Sequence, residues 1–99
     1  MNNIDRIMRV INSETVMNST KEINEFISGL LSKKPLDVCE LTAVLTRLTI
    51  NIALTLYNHC REAGFNIVMC KGATQMLLIS SSIIATETFD KITPVGEGG

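Results

Sequence analysis

The sequence predicts an all-α protein built around a long antiparallel helical hairpin. A start signal at Asp37 and a stop signal at Gly64 enclose one long stretch in which apolar residues recur at helical spacing. A connection of three residues leads into a second stretch of nearly equal length, and helices joined this closely pack as antiparallel neighbours. Both stretches carry apolar residues on several sides, which predicts a helical bundle completed by oligomerisation.

The first element is a short amphipathic helix from Asn3 to about Asn12. Its apolar residues occupy one face at the i, i+3, i+4 and i+7 positions: Ile4, Ile7, Met8 and Ile11. We expect this face to lie on the hairpin.

A second amphipathic helix is expected to begin after Ser19, which can act as a cap with Glu22 three residues later, and to end near Ser32. The residues between the two helices leave open whether they are separate or form one kinked helix, because Val16 and Met17 can carry an apolar face across the gap. The apolar stripe of the second helix consists of Ile23, Phe26, Ile27, Leu30 and Leu31. Pro35 then enforces a break.

The central helix is predicted from Val38 to Ala63, a length of about 39 Å. Asp37 can cap its amino end, with Glu40 completing a capping box. Gly64 can adopt the left-handed conformation, with Phe65 folding back in a Schellman ending.

Apolar residues lie on more than one side of the central helix, which predicts that it is covered on more than one side. One row along it consists of Leu41, Leu45, Leu48, Ile52 and Leu56, and other sides carry Val44, Leu54 and Tyr57.

The last helix is predicted from Ile67 to about Lys91, with Asn66 as its cap. In the alternative, the first residues are extended and the helix begins near Thr74. We expect Met69, Ala73, Met76, Leu77, Ile83 and Ile84 to be able to face the central helix, and Gly72, Ala73 and Ser80 to permit a close backbone approach. Residues 1–93 are expected to form a single domain and 94–99 a flexible tail, because Pro94 stops the helix.

The composition narrows the range of partners and cellular locations that we expect for this chain. The 99 residues are 45% hydrophobic and carry nine basic against ten acidic residues, so a net charge of -1 does not favour binding to nucleic acid or anionic lipid. The amino terminus lacks the apolar core of a secretory signal. Three cysteines form a poor disulfide framework, so a cytoplasmic location is expected.

Two uncharged stretches, Leu48 to Asn58 and Gly72 to Thr86, are shorter than the roughly 20 apolar residues that a membrane span needs. Extending the first reaches Arg47, and extending the second reaches Lys71. We therefore expect buried or interface helices and no membrane partner.

No catalytic, metal or cofactor site is predicted. His59 and Cys60 are adjacent, but a structural zinc site needs four converging ligands, commonly in closely spaced pairs. The cysteines are expected to be small buried hydrophobes. No carboxylate lies within an apolar run where burial could tune its pKa, so the chain is not expected to be an enzyme.

Packing alone does not explain the role of Arg47. Its charge lies between Leu45 and Leu48 on a helix that is expected to be covered on several sides. It is either a snorkelling side chain or a binding-site or interface arginine. The candidate ligand-binding or partner-binding residues are Arg47, Thr46, Asn51, Lys33 and Lys34.

The function expected first is that of a small non-catalytic interaction or regulatory protein, which binds a protein partner stoichiometrically and forms a homodimer or higher oligomer. An alternative is a sensor that binds a small anion near Arg47 at a subunit interface. A weak nucleic-acid-binding regulator comes third, through a helix-turn-helix drawn from Glu22 to Thr49. Its recognition helix would present residues poorly suited to base edges: Cys39, Glu40, Thr42 and Ala43.

Overall fold

The computed structural model describes residues 2–93, which form four helices and no strand. The helices are α1 (Asn3–Val10), α2 (Glu14–Lys33), α3 (Val38–Glu62) and α4 (Ile67–Ile92). The all-α prediction is confirmed, and α3 and α4 pack against each other as a hairpin. The predicted tail, 94–99, lies outside the described residues.

The amino-terminal segment forms two helices, which answers the question that the sequence left open. α1 ends at Val10, and α2 begins at Glu14 after Ser13, whose hydroxyl accepts a hydrogen bond of 3.3 Å from the Val16 backbone N–H. The predicted cap at Ser19 is therefore wrong, since it lies inside α2. Ser13 supplies an earlier cap, and Val16, which is half-buried, extends the apolar face of α2 toward its start.

Both ends of α3 have the predicted geometry. The Glu40 backbone N–H donates to Asp37 Oδ1 at 2.8 Å, and the Asp37 N–H donates to Glu40 Oε1 at 3.2 Å, so the capping box is complete. At the other end Gly64 has a φ of 97°, and the Phe65 N–H donates to the Cys60 carbonyl at 3.3 Å. This is the expected Schellman ending.

α4 is helical from Ile67, so the alternative start near Thr74 is wrong. The Met69 backbone N–H donates to Asn66 Oδ1 at 2.8 Å, which confirms Asn66 as the cap. The satisfied cap at Asn66 outweighs the unfavourable helix propensity of Gly72 six residues later.

Burial on α3 is confined to the half next to the connection, whereas on α4 it is spread along the helix. On α3 the residues with reduced exposure are Ala53, Leu56, Tyr57 and Cys60, and every residue from 38 to 52 is exposed. α1 lies against α4, whose buried residues are Cys70, Thr74, Ser80 and Ile84. One chain therefore does not provide the predicted cover on several sides of α3.

The chain has an open shape. Its radius of gyration is 16.1 Å, against about 13 Å for a compact domain of this length. Its accessible surface is 8396 Å², against about 5600 Å² for a compact monomer of 10.9 kDa. Helices this long, with burial limited to so few positions, leave apolar faces in solvent.

Candidate interaction surface

Three apolar faces and one groove form the candidate interaction surface. The first face is the α3 row, defined here by its exposed members Leu41, Leu45, Leu48 and Ile52. Its span, 41–52, contains a single charged residue, Arg47. The row runs along the half of α3 in which every residue is exposed, so none of residues 2–93 covers it fully.

The second face is the α2 stripe, defined here by Ile23, Phe26 and Leu30, which are all exposed. The other members of the predicted stripe, Ile27 and Leu31, are half-buried. Phe26 leaves 68% of its surface in solvent, the largest fraction for an aromatic residue in the part of the chain that the structure describes. The predicted stripe is therefore real, but the chain covers only one edge of it.

The third face lies on the outer side of α4. Met69, Met76 and Ile83, which the sequence allowed to face α3, are exposed, whereas Leu77 is half-buried and Ile84 is buried. A Cβ built on Gly72 would meet no heavy atom within 4 Å, so the predicted close backbone approach at Gly72 does not occur within one chain.

The hairpin groove lies between α3 and α4 and has a volume of about 570 Å³. Its lining is mainly apolar and includes one formally charged residue, Lys71. The lining residues are Thr49, Ile50, Ala53, Leu54 and Tyr57 from α3, and Ile67, Lys71, Thr74, Gln75 and Leu78 from α4. The i, i+4, i+7 and i+11 spacing of Ile67, Lys71, Thr74 and Leu78 places these residues on one side of α4 and can be recognised in the sequence. Whether that side lines a groove depends on how α3 and α4 are rotated against each other.

The predicted binding residues lie on two different helices. Arg47 and Asn51 lie one turn apart on an exposed side of α3, and neither lines the hairpin groove. The Thr46 hydroxyl donates to the Thr42 carbonyl at 2.9 Å, a bond within the helix. Lys33 and Lys34 stand at the carboxyl end of α2, on a separate element.

The cysteines differ in environment. Cys39 is exposed, so the expectation that all three are buried is wrong for it, whereas Cys60 is half-buried and Cys70 is buried. The Cys70 thiol donates to the Phe65 carbonyl at 3.6 Å. Burial, and then the neighbouring Cys60 thiol, raise the pKa of the Cys70 thiol from 9.0 to about 11, while the charge of Arg61 acts in the opposite direction. This shift disfavours the reactive thiolate.

Metal-binding geometry is absent among residues 2–93, where no three His, Cys, Asp or Glu side chains are grouped closely enough to hold an ion.

Length and hydropathy alone would allow α3 and α4 to cross a membrane. Their most apolar windows have mean hydropathies of 1.4 and 1.5. These windows are only 0% and 22% buried, so packing in a core does not explain their hydropathy, but length and composition alone are weak evidence for a membrane span. Arg47 near the middle of α3 adds a cost of about 2.5 to 3.5 kcal/mol to insertion. The expectation of no membrane partner stays a prediction.

No protein-family model, curated protein or solved structure matches this chain.

Proposed function

We propose that this chain is a small non-catalytic helical interaction protein. It binds to itself as a homo-oligomer and binds a protein partner stoichiometrically through the surface that self-association leaves free. The observation that carries the proposal is the exposed surface, about 2800 Å² larger than a compact monomer of this mass presents.

The amount of excess surface fits an assembly. Obligate interfaces bury about 2000 to 5000 Å² in total, or about 1000 to 2500 Å² per chain. Contiguous exposed apolar patches beyond a few hundred Å² mark interaction sites in soluble proteins. The α3 row, the α2 stripe and the outer face of α4 are three separate exposed apolar faces, which leaves room for a second, different protein.

The cysteines support a cytoplasmic location and a non-catalytic role. An exposed free thiol such as Cys39 persists in a reducing compartment. The pKa of the Cys70 thiol is raised, which lowers the fraction of nucleophilic thiolate.

Light scattering coupled to size exclusion tests the self-association. At micromolar concentration we expect a mass of at least twice 10.9 kDa. A monomer would rule the proposal out. Co-sedimentation with phosphatidylcholine vesicles is measured in parallel, because insertion of α3 and α4 into lipid is the competing way to cover the same surface.

Native mass spectrometry of the protein purified from its own host tests whether it binds a protein partner. A co-purifying protein at fixed stoichiometry supports the proposal, whereas a co-purifying small anion supports a sensor. The variant Arg47→Met then decides the role of Arg47. If fold, oligomer mass and ligand binding are all unchanged, Arg47 has no part in a site.

A further inference from the structure

The hairpin groove sets three conditions on its occupant. The occupant must present an apolar row, because the lining is mainly apolar. It must be narrow enough to lie between two helices, which suits one helix with side chains at i, i+3 and i+7. It must carry negative charge beside the apolar row, because Lys71 is the charged residue of the lining.

The α2 stripe meets these conditions. Ile23, Phe26 and Leu30 are spaced i, i+3 and i+7 and are exposed. Phe26 provides a large apolar anchor of the kind that dominates interface energetics. Glu22 immediately precedes Ile23 and lies at the edge of the stripe, about 40° around the helix from Phe26.

The other exposed faces fit less well. The α3 row has Arg47 within its span, a charge of the same sign as Lys71. The outer face of α4 has a carboxylate, Glu87, only beyond Ile83 at its carboxyl end, and its exposed members include no aromatic anchor. A carboxylate beside an aromatic anchor therefore favours α2.

We propose that the hairpin groove of one chain receives the α2 stripe of a second copy, with Glu22 of each copy beside Lys71 of the other. This inference rests on the proposed self-association. Each chain has one stripe and one groove, and two chains that exchange both contacts form a closed two-fold dimer. The surface each chain has in excess, about 2800 Å², is sufficient for two such contacts.

A charge exchange tests the pairing in the full chain. The variants Glu22→Lys and Lys71→Glu are each expected to weaken the dimer about tenfold, because each change acts at both symmetric contacts. The double variant restores attraction and is expected to return the dissociation constant to within about threefold of the wild-type value. Dissociation is measured by fluorescence-detected analytical ultracentrifugation, with helicity by circular dichroism as the folding check.

Two further variants complete the design. Glu25→Lys makes the same change about 100° around α2 from Phe26, outside the stripe, and should change the dissociation constant far less than Glu22→Lys. Phe26→Ser removes the anchor and should weaken the dimer at least a hundredfold.

The outcomes separate the two proposals. A monomeric wild-type chain overturns both this inference and the proposed function. A wild-type oligomer that is indifferent to Phe26→Ser, or that the double charge variant fails to restore, overturns the inference alone.

Discussion

At the scale of single residues, the two glycines of the hairpin have opposite effects on stability. Gly64 has a φ of 97°, in the left-handed region where an L side chain is strained, whereas Gly72 lies inside α4 with no heavy atom within 4 Å of an added Cβ. Gly64→Ala should lower the free energy of unfolding by about 1 to 2 kcal/mol. Gly72→Ala should raise it by about 0.5 to 1 kcal/mol, because alanine favours the helix.

Urea unfolding followed by circular dichroism measures both changes. A destabilising Gly72→Ala variant would contradict the expectation and would mean that Gly72 contacts another backbone in the assembly.

Cys70 is expected to make stability depend on pH in the alkaline range. Its pKa is raised in the folded chain from 9.0 to about 11, so the folded state holds the thiol proton over an interval in which the unfolded state has lost it. The contribution to stability is complete below about pH 9 and is lost as the pH rises toward 11.

Urea unfolding of wild type and Cys70→Ala at pH 8 and pH 10.5 isolates this contribution, since the other alkaline groups are common to both chains. The wild type should lose more stability than the variant between the two pH values.

In the folded protein at pH 8, iodoacetamide should modify Cys39 well before Cys70. Equal rates for the two thiols would show that Cys70 is not buried in solution.

At the scale of helices, α1 contributes to stability through the side that faces α4. Ile7 is half-buried, whereas the adjacent Met8 leaves 54% of its surface in solvent. Ile7→Ala should lower the free energy of unfolding by about 1 to 2 kcal/mol, roughly half the cost at a fully buried site. Met8→Ala serves as the matched control and should cost less than about 0.5 kcal/mol. Equal effects in urea unfolding would place both side chains in contacts that one chain does not make.

The helix ends show which local structure can be predicted from sequence. The box of Asp37 with Glu40 and the ending at Gly64 are formed by neighbouring residues, so the residues that make them are sufficient to locate them. The same capping pattern at Ser19 and Glu22 failed because an interior serine and glutamate at this spacing also fit a continuous helix. Ser13 already supplied the cap.

The hairpin groove could not be predicted, because it depends on the rotation of α3 against α4. Helical spacing places Lys71 and Leu78 on one side of α4, but it does not show that this side meets Ile50 and Leu54 of α3. For the same reason Met69, Met76 and Ile83 were placed toward α3 and are exposed.

At the scale of the whole molecule, the sequence showed that apolar residues occupy too many sides for one small chain to cover. It did not show which sides the chain itself covers. The structure supplies that distinction, since α4 is partly buried by α1 and α3 while residues 38–52 of α3 stay exposed.

Thermal stability should therefore depend on protein concentration. If folding and dimerisation are coupled, a hundredfold rise in chain concentration stabilises the folded dimer by about 2.7 kcal/mol. For a dimer of two 99-residue chains this corresponds to a rise of about 6 °C in the melting temperature between 1 and 100 μM. Phe26→Ser should melt below wild type at both concentrations. Its weaker dimer contact contributes less free energy to the folded state. A melting temperature that stays constant over this range would show that the single chain is stable with its apolar faces in water, and self-association would then have no part in its folding.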